Sequence, residues 1–224
     1  MECSNCVFEG KQWACTRCTK KCCFADKNKV TFEELKDLQN KACDVEYLKT
    51  QLKDLDRPVF NSSDHRNMKD LVFYDSYYKD LKYISSLYKV KLKIRKPYKN
   101  GDDSSFYRHR SRRIFLVTTK SGIFSNWDVY VIFTHELSHA IQHSLLCKYI
   151  EQYPITKLSQ AVLYERTAER LAYFVYKKYF DVDNRNIVVP QNFSCYTSKK
   201  DQLYLYKHFH KSKFPLDDDL GVTQ

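Results

Sequence analysis

The sequence predicts an α+β domain with a short cysteine-rich segment at its N-terminus, on three observations. Six of the nine cysteines crowd into the first 23 residues. Beyond them, long stretches of helical periodicity alternate with short stretches of period two. Only four Gly and five Pro occur in 224 residues, and no low-complexity run interrupts the pattern. A chain of this length buries roughly 70% of the surface its unfolded form exposes, so its main body needs no disulfide or metal to hold a core. Collagen-like, disordered and small disulfide-scaffold classes are excluded. The longest apolar stretches, such as 129–133, fall far short of the roughly 20 residues needed to cross a bilayer. The first residues lack the basic start and apolar run of a secretory signal. The expectation is an intracellular protein of the cytoplasm or nucleus, a reducing compartment, with no membrane span.

The cysteine-rich segment, residues 1–29, carries Cys3-x2-Cys6 and, after a spacer of eight residues, Cys15-x2-Cys18. Four thiolates in two such pairs are what a tetrahedral structural Zn2+ takes from a loop-rich segment. Cys22, Cys23 and Cys43 can replace one ligand, complete a second site or remain thiols. A disulfide knot is the weaker reading in a chain without an export signal.

Residues 30–60 read as a helical connector. Thr31-x-x-Glu34 is a capping-box signature, and Leu35, Leu38, Ala42, Val45 and Leu48 continue at helical spacing to about Leu55. Arg57-Pro58 ends that helix. The remaining residues, 61–224, form the main domain with a C-terminal extension. It opens with a helix over about 65–88, whose inner side holds Leu71, Tyr74, Tyr78, Leu81, Ile84 and Leu87. Strands follow at 89–96 and 112–119, then a helix from 127 and another over 158–179.

The net charge of +11 is concentrated in residues 89–113, which hold ten basic residues against Asp102 and Asp103. Lys89, Lys91, Lys93 and Arg95 alternate with Val90, Leu92 and Ile94, the mark of a half-buried strand with a basic outer face. Arg108, Arg110 and Arg112 also share one side if extended. With Tyr98, Phe106, Tyr107 and His109 nearby, this stretch is a candidate grip for a nucleic acid or an acidic partner. The competing reading is a solvated charged face.

Chemistry enters at Thr134-His135-Glu136-Leu137-Ser138-His139. On a helix His135 and His139 lie about 40° apart around the axis and one turn apart along it, so both imidazoles reach one Zn2+. Glu136 points beside that ion, where its carboxylate can take a proton from water. Val129, Ile132, Phe133, Leu137, Ala140 and Ile141 make the helix largely buried. Unpartnered polar groups there would cost several kcal/mol, on the order of the penalty for orphan buried groups. Two histidines leave the site one protein ligand short. The next helix supplies carboxylates on its inner stripe of Leu158, Val162, Glu165, Glu169, Ala172 and Tyr176. Glu165 fits as the third ligand and Glu169 as an acceptor for a ligand imidazole N–H, or the reverse. The bland alternative pairs both with arginines in the core, where isolated ion pairs stabilise little. His143 lies about 12 Å along the helix from His135, too far to share its metal, and reads as a packing or rim histidine.

The helix lacks the Gly and later His of the metzincin pattern. His135-Glu136-Leu137-Ser138-His139-Ala140, followed by Glu165-Arg166-Thr167-Ala168-Glu169-Arg170-Leu171-Ala172, instead resembles a compact glutamate-ligand zincin (gluzincin), most nearly the ImmA/IrrE-like family. The resemblance covers about residues 65–180. It implies a zincin-like fold and a zinc metallopeptidase that hydrolyses peptide bonds with a zinc-activated water. His135, His139 and Glu165 would be ligands and Glu136 the general base. Glu169 departs from the Asn or Asp usual at its position. A protein or peptide substrate would lie extended on an edge strand, for which Ile114, Leu116 and Thr118 alternating with Phe115, Val117 and Thr119 are the candidates. Tyr164, Tyr204, Tyr206, His208 and His210 are candidate oxyanion donors. Two other readings remain: a SprT-like protease acting on DNA-bound proteins, which usually adds a third His, and a non-catalytic zinc-stabilised adaptor, against which Glu136 argues.

Overall fold

The computed structural model describes residues 5–7, 25–57, 72–97, 105–118, 126–150 and 158–180. They form five α-helices and one three-stranded sheet, a mixed α and β arrangement.

Helix α1, Phe32–Ala42, starts where the capping box predicts. Glu34 N–H donates to Thr31 Oγ1 at 3.1 Å and Thr31 N–H to Glu34 Oε2 at 2.7 Å. Such a cap contributes about 1 kcal/mol. The connector is two helices, not the single one expected. Asp44 breaks it by capping α2, Val45–Thr50, through bonds from Glu46 N–H and Tyr47 N–H. The side chain of Asp44 competes with the helical backbone for those donors, which is why a continuous apolar periodicity did not mean a continuous helix. Past α2, Tyr179 and Tyr88 share a hydroxyl–hydroxyl hydrogen bond. Tyr179 Oη donates to Lys53 O at 2.8 Å and Lys53 N–H donates to Tyr88 Oη at 3.0 Å, stapling this segment to the core.

Helix α3, Val72–Leu87, leads into β1, Lys91–Arg95. Strands β2, Phe106–Arg108, and β3, Arg113–Val117, follow, in the sheet order β1-β3-β2. β1 runs parallel to β3 and β2 antiparallel to it. Two expectations fail here. Residues 108–112 are not extended: Arg108 ends β2, His109–Ser111 form a 3-10 turn, and Arg112 is left-handed at φ 47°. Bonds from its guanidinium to Tyr88 O at 2.8 Å and Cys147 Sγ at 3.1 Å hold that conformation. The strand expected to pair with substrate, β3, is flanked on both sides, so its backbone is spent on its neighbours, and among the described residues the edges of the sheet are β1 and β2.

Helices α4, Asn126–Ser144, and α5, Leu158–Tyr179, pack on each other more extensively than any other pair of elements, and α4 also lies against β2 and β3. The main core joins Phe133, Leu137 and Ile141 of α4 to Leu171 and Val175 of α5, Ile84 of α3 and Leu92, Tyr107, Ile114 and Leu116 of the sheet. Phe133 is fully buried, so Phe133→Ala would cost about 3–5 kcal/mol. A second cluster packs Cys6, Val7, Ala25 and Val30 against Leu35 and Ala42 of α1 and against Leu146, Ile150, Ala161 and Tyr164. Of the four predicted thiolate ligands, Cys6 is buried there, paired by its backbone with Asp26, and Cys3, Cys15 and Cys18 lie outside the described residues. No helix among the described residues is long and apolar enough to cross a membrane.

Candidate metal centre

The inner stripe of α5 holds Val162, Glu165, Glu169, Ala172 and Tyr176, all buried, opposite the His-Glu-x-x-His turn of α4. The helical periods on both sides bring three ligand atoms to one point. His139 Nε2 lies 3.1 Å from His135 Nε2 and 3.1 Å from Glu165 Oε2, and His135 Nε2 lies 3.4 Å from Glu165 Oε2. His135, His139 and Glu165 are thus a group that can hold a metal ion. Glu136, His139, Glu165 and Glu169 are buried, whereas the His135 side chain keeps 23% of its surface exposed and marks the side open to solvent.

The charges of this group hold one another. Burial disfavours charge on His135, yet the Glu165 hydrogen bond and the fields of Glu136, Glu165 and Glu169 outweigh it and raise its pKa to about 9. Burial would also push the Glu165 carboxyl up, but the neighbouring His139 and His135 hold it far below the usual range. Glu136 is shifted upward, chiefly by burial, against the pull of the two histidines. Its carboxylate accepts a hydrogen bond from Tyr107 N–H, so β2, an edge strand among the described residues, faces it.

Gln142, which sequence reasoning passed over, sets the tautomer of His139. Its Nε2 donates to Ala42 O at 2.9 Å and Tyr164 O at 3.0 Å, which uses both amide hydrogens. Only Oε1 remains to face His139 Nδ1 at 3.0 Å. An acceptor there requires a proton on Nδ1, which leaves the lone pair of the neutral ring on Nε2, the atom turned to the ligand group. The i, i+3 spacing from His139 was the available signal. The Tyr164 ring stacks on His139, with ring centroids 4.9 Å apart. Glu169 sits one turn beyond Glu165, and its charge is among those that raise His135.

The other candidates fall elsewhere. His143 is buried in packing, with Nδ1 3.0 Å from Tyr107 Oη and its ring edge-on to His109 at 4.8 Å. Tyr164 is also buried, and its hydroxyl donates to His139 O at 3.3 Å and lies 3.3 Å from His109 Nε2, so it is engaged as a brace between α5 and α4. Tyr204, Tyr206, His208 and His210 lie outside the described residues. No protein-family model, curated protein or solved structure matches this chain.

Proposed function

We propose that the chain is a zinc metallopeptidase built as a glutamate-ligand zincin, with His135, His139 and Glu165 as ligands and Glu136 as general base. The observation that carries this reading is the triangle of ligand atoms, with edges of 3.1, 3.1 and 3.4 Å. Three donors bonded at about 2.0–2.1 Å to a tetrahedral ion stand about 3.3 Å apart. Two imidazole nitrogens and a carboxylate are also the donor chemistry that Zn2+ takes in catalytic sites. A bound Zn2+ would supply Lewis acidity, polarising a carbonyl and making water acidic near neutral pH.

The chain's own groups supply the rest. Glu136, raised by burial and steadied by Tyr107 N–H, is placed to take a proton from the attacking water and pass it to the leaving amine. Gln142 keeps the His139 lone pair on the ligand side. A peptide lying extended along the edge of β2 would pass Glu136, which moves the substrate strand from β3 to β2. The cysteines of the N-terminal segment, Cys3, Cys6, Cys15 and Cys18, are proposed to hold a separate structural zinc.

The test is metal analysis of the purified chain together with cleavage of a mixed peptide library, with and without chelator. Glu136→Gln should keep its zinc while hydrolysis falls by at least roughly 10²-fold. Equal turnover by wild type and variant would remove Glu136 from the mechanism, and a chain without zinc would remove the reading.

A further inference from the structure

The sheet has a second face, turned away from α4. Leu92, Tyr107, Ile114 and Leu116 point into the main core, so the residues alternating with them point outward. The strand register sorts those outward residues into rows. Lys91, Arg113 and Arg108 stand side by side across the three strands, and Lys93, Phe115 and Phe106 form the next row. Arg95 follows on β1, and the three strands carry no acidic residue.

Neither row is what stability alone favours. Like charges directly opposite each other on neighbouring strands destabilise a sheet, and Arg113 has a cation opposite it on both sides. Lys91, Lys93 and Arg108 are exposed. Beside them Phe106 and Phe115 are only half-buried and lie nearly parallel, with ring centroids 4.9 Å apart. The Arg108 guanidinium stands over both rings, at 5.6 and 5.1 Å, and that of Arg95 stands 5.6 Å from the Phe106 ring. Cations spaced about 6.7 Å along β1, with Arg113 and Arg108 beside them and half-exposed flat rings in the next row, match a chain that alternates negative charge with flat aromatic faces.

We infer that this face binds a single strand of nucleic acid, with phosphates on the row Lys91, Arg113 and Arg108 and on Lys93, and bases on Phe106 and Phe115. An acidic protein segment would satisfy the cations but has no use for the paired rings. Duplex bases keep their flat faces stacked on one another, out of reach of a platform. The surface lies on the opposite face of the sheet from the metal centre and stands independently of the peptidase reading.

The test uses the full chain and a labelled oligothymidylate of about 20 nucleotides, followed by fluorescence anisotropy over a range of salt concentrations. Lys91→Ala, Lys93→Ala and Arg108→Ala alter exposed side chains. Each should weaken binding and reduce the slope of log affinity against log salt by about one. Phe106→Leu and Phe115→Leu keep apolar bulk but remove the ring. Each should lower affinity by roughly 5- to 150-fold, one lost base stack, with the salt slope unchanged. Circular dichroism confirms that each variant is folded. Three results would overturn the inference: no binding at low salt, ring variants that bind like wild type, or a polyglutamate peptide or a duplex binding as tightly as the single strand.

Discussion

Two histidine clusters meet α4 in opposite electrostatic settings, one around His135 on the helix itself and one around His109, which reaches it from the turn after β2. At the first, His135 is surrounded by Glu136, Glu165 and Glu169 and its pKa rises to about 9. At the turn after His139, His143 packs against the rings of His109 and Tyr107. There the His109 pKa falls well below its ordinary value, first through burial and then through the charges of His143 and His139, which outweigh the opposing pull of Glu165. Burial opposes charge at both places. What separates them is the close supply of carboxylates, chiefly from α5, which holds the charge on His135 and leaves His109 neutral in a packing cluster that braces β2 and its turn against α4.

Removing the carboxylate that makes the difference should have the largest effect. Glu165→Ala leaves two protein ligands, and zinc affinity should fall on the order of 10³-fold, about one third of the binding free energy of a structural zinc site. Competition with a chelator of known affinity measures it. If Glu169→Ala does the greater damage, the ligand role passes to Glu169.

Next in size is the device that aims His139. Gln142→Leu removes the acceptor at Nδ1, and zinc affinity should fall roughly 10 to 100-fold while the fold persists. NMR of the imidazole nitrogens should show mixed tautomers in the metal-free variant and a single Nδ1–H tautomer in the parent. A variant with unchanged affinity and tautomer would reduce Gln142 to its bonds with Ala42 and Tyr164.

Smallest, but of opposite sign at the two clusters, is the pH dependence of stability without metal. The His135 pKa is raised, so its contribution is complete below the unfolded value of about 6.5 and is lost as pH climbs through about 9. The His109 pKa is lowered, so its contribution is present above about 6.5 and is lost as pH falls. The Glu165 pKa is lowered, so its share also disappears in acid, below about 4.5. Urea unfolding across pH should therefore show His135→Gln flattening the alkaline loss and His109→Gln flattening part of the acid loss. The same effect from both variants would erase the distinction between the clusters.

Much of the candidate metal centre is legible in the amino-acid order alone. Helical period puts His135 and His139 on one face of α4, and Glu165 and Glu169 on the inner stripe of α5, because 3.6 residues per turn dictates which side chains share a side. The capping box at Thr31 and Glu34 is equally local, since both partners lie within one turn. Composition and periodicity are enough for a mixed α and β chain with its charge gathered in one stretch.

Tertiary structure decided whatever depends on two distant segments meeting. That Glu165 comes within 3.1 Å of His139 rests on how α4 and α5 pack. The hold on Gln142 needs Ala42 from α1, a hundred residues away. Strand β2 is three residues long, too short for period two to announce itself, and its pairing turned β3 from an expected edge into the centre of the sheet. The rows of cations and rings on the outer face exist only in the cross-strand register. Periodicity tells a residue which way to face within its own element, and only packing tells it what it will meet.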